Sequence, residues 1–380
     1  MSKTLKWGLI GGGQGSQIGG SHRIAARMDG NFEMAAGALD VDAARAREFG
    51  VSLGIAADRA YGDWREMLEG ERARADRLDL VTVATPNSTH FEITKAFLSA
   101  GFDVLCEKPL TTTVEEAETI VRTARDAGRI CAVNYCYSGY PLVRHARALV
   151  ARGDLGRVRV VVAEFAHGHH ANAADADNPR VRWRYDPKLA GVSSVLADCG
   201  IHALHMACFI TGQRVESLTA DFASTIPSRQ LEDDALLAFR MSGGAVGRLW
   251  TSAVAAGRMH GLNIQVFGEK AGLRWEQERP NQLYFTPVGG RTTTLERGSA
   301  DLSAEEQLAS RVAVGHAEGF LEAFANIYAD LAEVLRARRE HRPPNPLASS
   351  YPTAEDGLRS VAAVHAGAKS AKAHGSWVKL

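Results

Sequence analysis

The chain reads as an α/β protein in two parts, a parallel sheet with crossover helices followed by an α+β part built on antiparallel strands. Three observations predict this. From Leu5 to about Ala132, short apolar runs alternate with amphipathic segments, as βαβ units around a parallel sheet require. After about Asn134 apolar runs follow one another across glycine-bearing turns, the pattern of antiparallel pairing. The length of 380 residues also exceeds what one simple core organises. We therefore assign a first domain to residues 1–133 and a second to 134–380, whose C-terminal segment can pack back on the first.

Taken in order, LKWGLIG, FEMAAGALD, DLVTVAT, DVLCEKP and RICAVNY are the strands of the first domain. The best-marked helix begins at Thr113, which forms a capping box with Glu116. Its apolar stripe is Val114, Ala117, Ile120, Val121, Ala124 and Ala127, and Gly128 stops it. The second domain opens with a helix over Leu142–Arg152 and the strand VRVVVAEFAH. DDALLAFRM, AVGRLWTSAV, LNIQVFG, GLRWEQ and NQLYFTPV follow, with Ser242-Gly243-Gly244 and Gly289-Gly290 at the hairpin turns. A helix from about Glu318 to Arg339 carries Phe320, Phe324, Ile327, Leu331 and Val334 on one face. The basic RARREHRPPNP ends it and reads as a solvated linker.

Lys plus Arg balance Asp plus Glu at 44 each, with 45% apolar and 23% charged residues. Such a chain lacks the concentrated basic footprint of a nucleic-acid or membrane surface. Its five cysteines form no CxxC pair, and the start MSKTLKW has no apolar core of a signal peptide. No stretch approaches the ~18 apolar residues of a bilayer span. A cytoplasmic protein with reduced thiols is expected.

The chemistry begins at the first strand end. Gly11-Gly12-Gly13 follows a strand and precedes a helix, where backbone amides can hold a pyrophosphate. Position 16 is serine where a third glycine is usual, so either Ser16 replaces it or the loop is longer and Gly19 packs the helix. The longer loop keeps Gln14, Ser16, Gln17 and Ile18 near the phosphates. Asp40, at the end of the second strand, is placed to meet ribose hydroxyls and to repel a 2′-phosphate, and no arginine follows it immediately. NAD is expected over NADP. Ala84-Thr85-Pro86-Asn87, leading to His90, and Glu107-Lys108-Pro109 lie at later strand ends, where such sheets bind ligands. A positive nicotinamide beside Lys108 would lower its pKa and suit it to work on a reacting hydroxyl. Asp198 and His202 are four apart, on one face if helical, so the imidazole can take a hydroxyl proton while the carboxylate orients. His205 reads as packing. The HGHH run, His167 to His170, lacks partners at metal-ligand spacing and reads either as a pocket-lining loop or as a plain one; no metal is expected.

Together the glycine loop, ATPN, EKP near 107, VNY near 133 and D-x-G-x-H near 198 resemble the glucose-fructose oxidoreductase and inositol dehydrogenase family, Gfo/Idh/MocA. The resemblance spans nearly the whole chain, including Tyr351 to Leu358. It implies an N-terminal Rossmann domain, followed by an α+β domain with a large, mostly antiparallel open sheet whose open face mediates a homodimer or homotetramer. Lys108, Asp198 and His202 match the family's catalytic trio, and Gly11, Gly13, Asp40, Thr85, Asn87, Glu107 and Asn134 match positions around NAD. Trp183-Arg184 resembles a segment that reaches nicotinamide and substrate. The AGALD strand end, HGHH and GHAEGFLEAFANIY look most like bacterial inositol and related sugar dehydrogenases. The implied reaction is reversible oxidation of a secondary ring alcohol of a cyclic polyol or sugar, with Tyr137, His167, His170, Arg184 and His316 as candidates for holding its hydroxyls. Two alternatives stand beside it: a lyase or glycosidase using NAD for transient oxidation, and a non-catalytic NAD-binding regulator, for which three intact catalytic positions have no use.

Overall fold

The computed structural model describes residues 4–174 and 178–380. They form two compact units. The first comprises residues 1–111, 115–139 and 320–358, and the second comprises 112–114, 140–319 and 359–380. The helix Phe320–Arg339 thus belongs to the unit built by the N-terminal third of the chain.

The first unit is a five-stranded parallel sheet. Its strands β1 (Leu5–Gly11), β2 (Phe32–Ala38), β3 (Leu80–Ala84), β4 (Val104–Cys106) and β5 (Cys131–Val133) lie in the order β2-β1-β3-β4-β5. All four pairings are parallel. The chain reverses direction across the sheet between β1 and β3, so a crevice opens at the carboxyl ends of these strands. β3 and β4 are buried throughout, which explains their continuous Val/Leu character. Tyr328, from Phe320–Arg339, inserts edge-on between Trp7 and Phe32, with ring centroids 5.8 and 5.7 Å away. The basic run behind that helix is exposed from Arg338 to Pro346, as expected of a solvated linker, and three of its arginines are also tied down, Arg338 to Asp103, Arg339 to Asp79 and Arg342 to Glu333 at 2.6 Å.

The second unit is a nine-stranded sheet. Its strands are β6 (Val158–Ala166), β7 (Val215–Ala223), β8 (Asp234–Met241), β9 (Val246–Ser252), β10 (Leu262–Gly268), β11 (Ala271–Glu276), β12 (Gln282–Pro287), β13 (Thr293–Glu296) and β14 (Val378–Lys379). The order is β13-β12-β11-β10-β6-β9-β8-β7-β14, antiparallel except for β6 beside β9. Period-two alternation divides its faces. Val161, Ala163, Phe165, Leu237, Phe239, Leu249, Ile264, Val266, Leu273 and Trp275 are buried, and the helices Pro141–Ala151 and Ile201–Thr211 pack on their strands. The other face carries Val160, Leu236, Trp250 and Phe267, of which Leu236 is 54% and Phe267 41% exposed. Strands β7, β13 and β14 have no counterpart among the sequence-derived elements. No helix among the described residues is long and apolar enough to cross a membrane.

Candidate active site

The glycine loop answers to two constraints, one steric and one electrostatic. A Cβ on Gly12 would lie 2.7 Å from the Gly19 Cα, and one on Gly19 would lie 2.2 Å from the Gly12 oxygen. Backbone therefore packs on backbone where the helix Gln17–Met28 meets the end of β1. It is Gly19 that meets Gly12, while Ser16 is the N-cap, its Oγ accepting the Gly19 N–H at 3.1 Å. The space beside Gly11 and Gly13 is taken by protein too: their Cβ atoms would fall 2.4 Å from the Ala84 oxygen and 2.3 Å from the Leu39 oxygen. Gly15 differs, at φ 78° with open space around it. The Gln17 and Ile18 amides open the helix and have no intrahelical acceptor, so with the helix dipole they form an anion site. Gln14 and Gln17 are exposed on the same loop. Arg23, unanticipated from sequence, donates to the Gly12 oxygen at 2.5 Å and braces the loop.

Asp40 lies two residues beyond β2. Its carboxylate accepts from the Asp42 N–H at 2.9 Å and from Arg45 at 2.9 Å, and these bonds hold it below the usual carboxylate range. Arg45 comes from the first turn of the next helix, so an arginine does stand beside Asp40, five residues on. Thr85 and Asn87 are half-buried after β3. His90 is fully buried, with Nδ1 2.7 Å from the Pro109 oxygen and Nε2 2.9 Å from the Thr85 oxygen. Carbonyls only accept, so both nitrogens donate and the ring is an imidazolium. Burial opposes this charge, but the Cys106 sulfur and the two carbonyls outweigh it and raise the pKa to about 9. His90 thus ties the ATPN turn to the EKP turn.

Glu107 and Lys108 leave β4, with the Glu107 N–H bonded to the Val83 oxygen at 2.9 Å. Glu107 is buried and accepts from Asn134 Nδ2 at 2.5 Å, His22 Nε2 at 3.0 Å and the Lys108 N–H at 3.2 Å. Burial pushes its carboxyl up, but His22, Asn134 and the Lys108 charge together pull it below its ordinary value. Lys108 is half-buried at this turn. Tyr137 is buried nearby in sequence, its ring 6.1 Å from Phe320.

In the second unit, Asp198 lies in a π turn, Leu196–Gly200, that runs straight into the helix Ile201–Thr211 carrying His202. The four-residue spacing therefore does not describe a continuous α-helix; such local π geometry is frequent at functional sites. Arg184 Nε donates to Asp198 Oδ2 at 3.2 Å, and its guanidinium sits over the Trp183 ring at 4.5 Å. His202 is 7% exposed beside Phe165. His167 Nδ1 accepts from the His169 N–H at 3.2 Å, which leaves the proton on Nε2, 3.3 Å from Cys199 Sγ. His170 Nδ1 meets the Tyr185 hydroxyl at 2.9 Å. Burial first, then neighbouring positive or potentially positive groups, lowers both His167 and His170 to about 4, so they are neutral at pH 7. His205 is buried and stacks on Phe209, whereas His316 is exposed.

Two further anchors escaped the sequence reading. Glu232 accepts from Ser193 Oγ at 2.5 Å and from the Ser194 and Leu196 amides, clamping the segment that leads into Asp198. Arg229, paired with buried Asp233 at 3.0 Å, donates to the His170 oxygen and lies over the Tyr185 ring. Within the run QLEDD, nothing local marks Glu232 as a clamp.

The first unit's geometry fits a dinucleotide: an anion site at a helix start, a glycine loop with open space beside Gly15, and a carboxylate just beyond β2. Comparison with known proteins agrees. Residues 5–135 match the model of the oxidoreductase family with an NAD-binding Rossmann fold, and residues 143–274 match the GFO/IDH/MocA C-terminal domain. The chain is 37% identical over 386 aligned residues to the uncharacterized oxidoreductase YfiI of Bacillus subtilis, covering 100% of this chain and 98% of that protein. Levoglucosan dehydrogenase of Pseudarthrobacter phenanthrenivorans is 27% identical over 310 residues, 74% of this chain and 76% of the relative. An inositol dehydrogenase homologue from Azotobacter vinelandii, solved with NADH and myo-inositol, matches with a TM-score of 0.92 at 41% identity, covering 100% of this chain and 98% of that one. The chain is thus an oxidoreductase of the Gfo/Idh/MocA family, and NAD is its cofactor.

Proposed function

We propose that the protein is a dehydrogenase that oxidises a secondary ring alcohol of a cyclic polyol or sugar, an inositol such as scyllo- or myo-inositol or an aldopyranose. The observation that carries this reading is the polar wall around the D-x-G-x-H segment. There, neutral imidazoles of His167 and His170, the Tyr185 hydroxyl and the Arg184–Asp198 pair present donors and acceptors from a largely buried surface. Such a wall suits a ligand covered in hydroxyls, which can exchange hydrogen bonds with polar groups that an apolar ligand would only desolvate. The homologue holding NADH and myo-inositol supports the same class.

In this reading His202 takes the hydroxyl proton, Lys108 hydrogen-bonds the same oxygen, and Asp198, held by Arg184, orients the substrate. Bound NAD supplies the hydride acceptor at nicotinamide C4. The Gln17 and Ile18 amides hold its diphosphate and Asp40 its ribose, with Gly11, Gly13, Gln14, Ser16, Thr85, Asn87, Glu107, Asn134 and Trp183 around it. Lys108→Ala and His202→Ala should each lower turnover about a hundredfold or more, the usual worth of a positioned proton-transfer group, with NAD still bound. Unchanged turnover in either variant would overturn the assignment.

A further inference from the structure

A buried chain of hydrogen bonds runs through the first unit to the EKP turn. Trp7 Nε1 is 2.8 Å from Thr82 Oγ1, which is 3.0 Å from the Tyr328 hydroxyl. That hydroxyl is 2.8 Å from His22 Nδ1, and His22 Nε2 is 3.0 Å from Glu107 Oε1. His22 and Thr82 are 0% exposed and Tyr328 1%.

The two ends set its direction. An indole N–H only donates, and an ionised carboxylate only accepts. Thr82 already accepts from Trp7, and among the described contacts Tyr328 is the acceptor within reach of its own proton. The Tyr328 proton then points at His22 Nδ1, and burial keeps that phenol protonated. His22 is left as the neutral Nε2–H tautomer donating to Glu107. Every member of the chain is satisfied in one orientation only.

We propose that His22 is a positioning residue for the reaction: it holds the Glu107 carboxylate ionised and in place beside Lys108, and so governs the charge at the turn that carries Lys108. This rests on the reading of Lys108 as the residue that hydrogen-bonds the reacting oxygen. The groups facing Glu107 come from every element around it: His22 and Tyr328 from two helices, Asn134 and Cys136 from the segment after β5, and Lys108 from its own turn. Cys136 is pushed up by burial and by the Glu107 charge, so it stays a neutral thiol. Without His22, a carboxylate this deeply buried loses one of its three N–H donors and becomes easier to protonate.

Imidazole 15N NMR of the NAD-bound enzyme tests the chain without reference to any substrate. The His22 ring of the parent should show a protonated Nε2 and a bare, hydrogen-bonded Nδ1 at neutral pH. In Tyr328→Phe, which keeps the ring packing and removes the donor to Nδ1, the Nδ1 resonance should move away from its hydrogen-bonded position. An imidazolium or an Nδ1–H tautomer in the parent, or an unaltered His22 in Tyr328→Phe, would overturn the proposal even if the polyol reading stands. With a turned-over substrate, His22→Leu should lower kcat about tenfold and move its acid limb up by about one pH unit, with NAD affinity retained. His22→Gln, which keeps an N–H toward Glu107, should recover most of both effects. In a Glu107→Gln background the His22→Leu loss should vanish, because the two residues act as one. Identical pH profiles in parent and His22→Leu, or additive losses in the double variant, would contradict it.

Discussion

At the scale of single residues, the glycine loop makes the sharpest prediction. Gly19→Ala forces a Cβ to 2.2 Å from the Gly12 oxygen, whereas a Cβ on Gly20 meets only Arg23 Nη2 at 4.0 Å. The first should weaken NAD binding about tenfold or more through a displaced loop, and the second should leave it unchanged, as equilibrium fluorescence titration would report. Asp40 makes another. Its carboxylate pairs with Arg45, so Asp40→Ser removes that partner beside the proposed ribose position, and the ratio of NADP to NAD affinity should rise. An unchanged ratio would count against the ribose role. The buried histidines give opposite pH dependences. His90 has a folded pKa of about 9 against an ordinary 6.5, so its stabilisation is complete below pH 6.5 and is lost as pH rises through 9. His145, His167 and His170 are lowered to about 4, so their contribution is present above 6.5 and is lost as pH falls toward 4. Thermal stability should therefore peak near neutrality. His90→Gln should remove a fall in stability on the order of 3 kcal/mol between pH 6.5 and 9, with the acid side unaffected.

At the scale of elements, what was legible in the sequence was what is local. The runs LKWGLIG and LNIQVFG are strands end to end, and EKP and D-x-G-x-H fall at a strand end and a helix start. FEMAAGALD ends two residues early, since the Leu39 carbonyl turns toward Gly13 and Asp40 toward Arg45. The helix expected from Glu318 begins at Phe320 because the Glu318 carboxylate binds the Arg311 and Val312 amides and pairs with Arg297. Strand β7, VESLTADFA, offers few buried positions and so little periodic signal. What no window of sequence could disclose are partners brought together by the fold: Tyr328 meets His22 across 306 residues, and Glu232 meets Ser193 across 39. Because Glu232 clamps the approach to the π turn, Glu232→Ala should lower kcat severalfold or more while NAD affinity stays unchanged. Equal loss of both would indicate general unfolding instead.

At the scale of the whole molecule, the composition is divided between two tasks: a parallel sheet with a dinucleotide cradle at its carboxyl edge, and a wide antiparallel sheet beside which the D-x-G-x-H segment is held. The second sheet's open face, with Leu236 and Phe267 exposed and Trp250 beside Leu236, is the surface we propose for a homodimer or homotetramer. Leu236→Glu should reduce the mass measured by light scattering to that of a smaller species, and a parent already monomeric would refute this assembly. The central claim, that the chain moves a hydride from a hydroxyl-rich ring to NAD, is tested most directly by one measurement. The purified protein is incubated with NAD and a panel of inositols and aldoses, and NADH is followed by its absorbance. Steady NADH release is expected with at least one cyclic polyol or aldopyranose, and its loss in His202→Ala. Bound NAD with no NADH released from any member of the panel would contradict it.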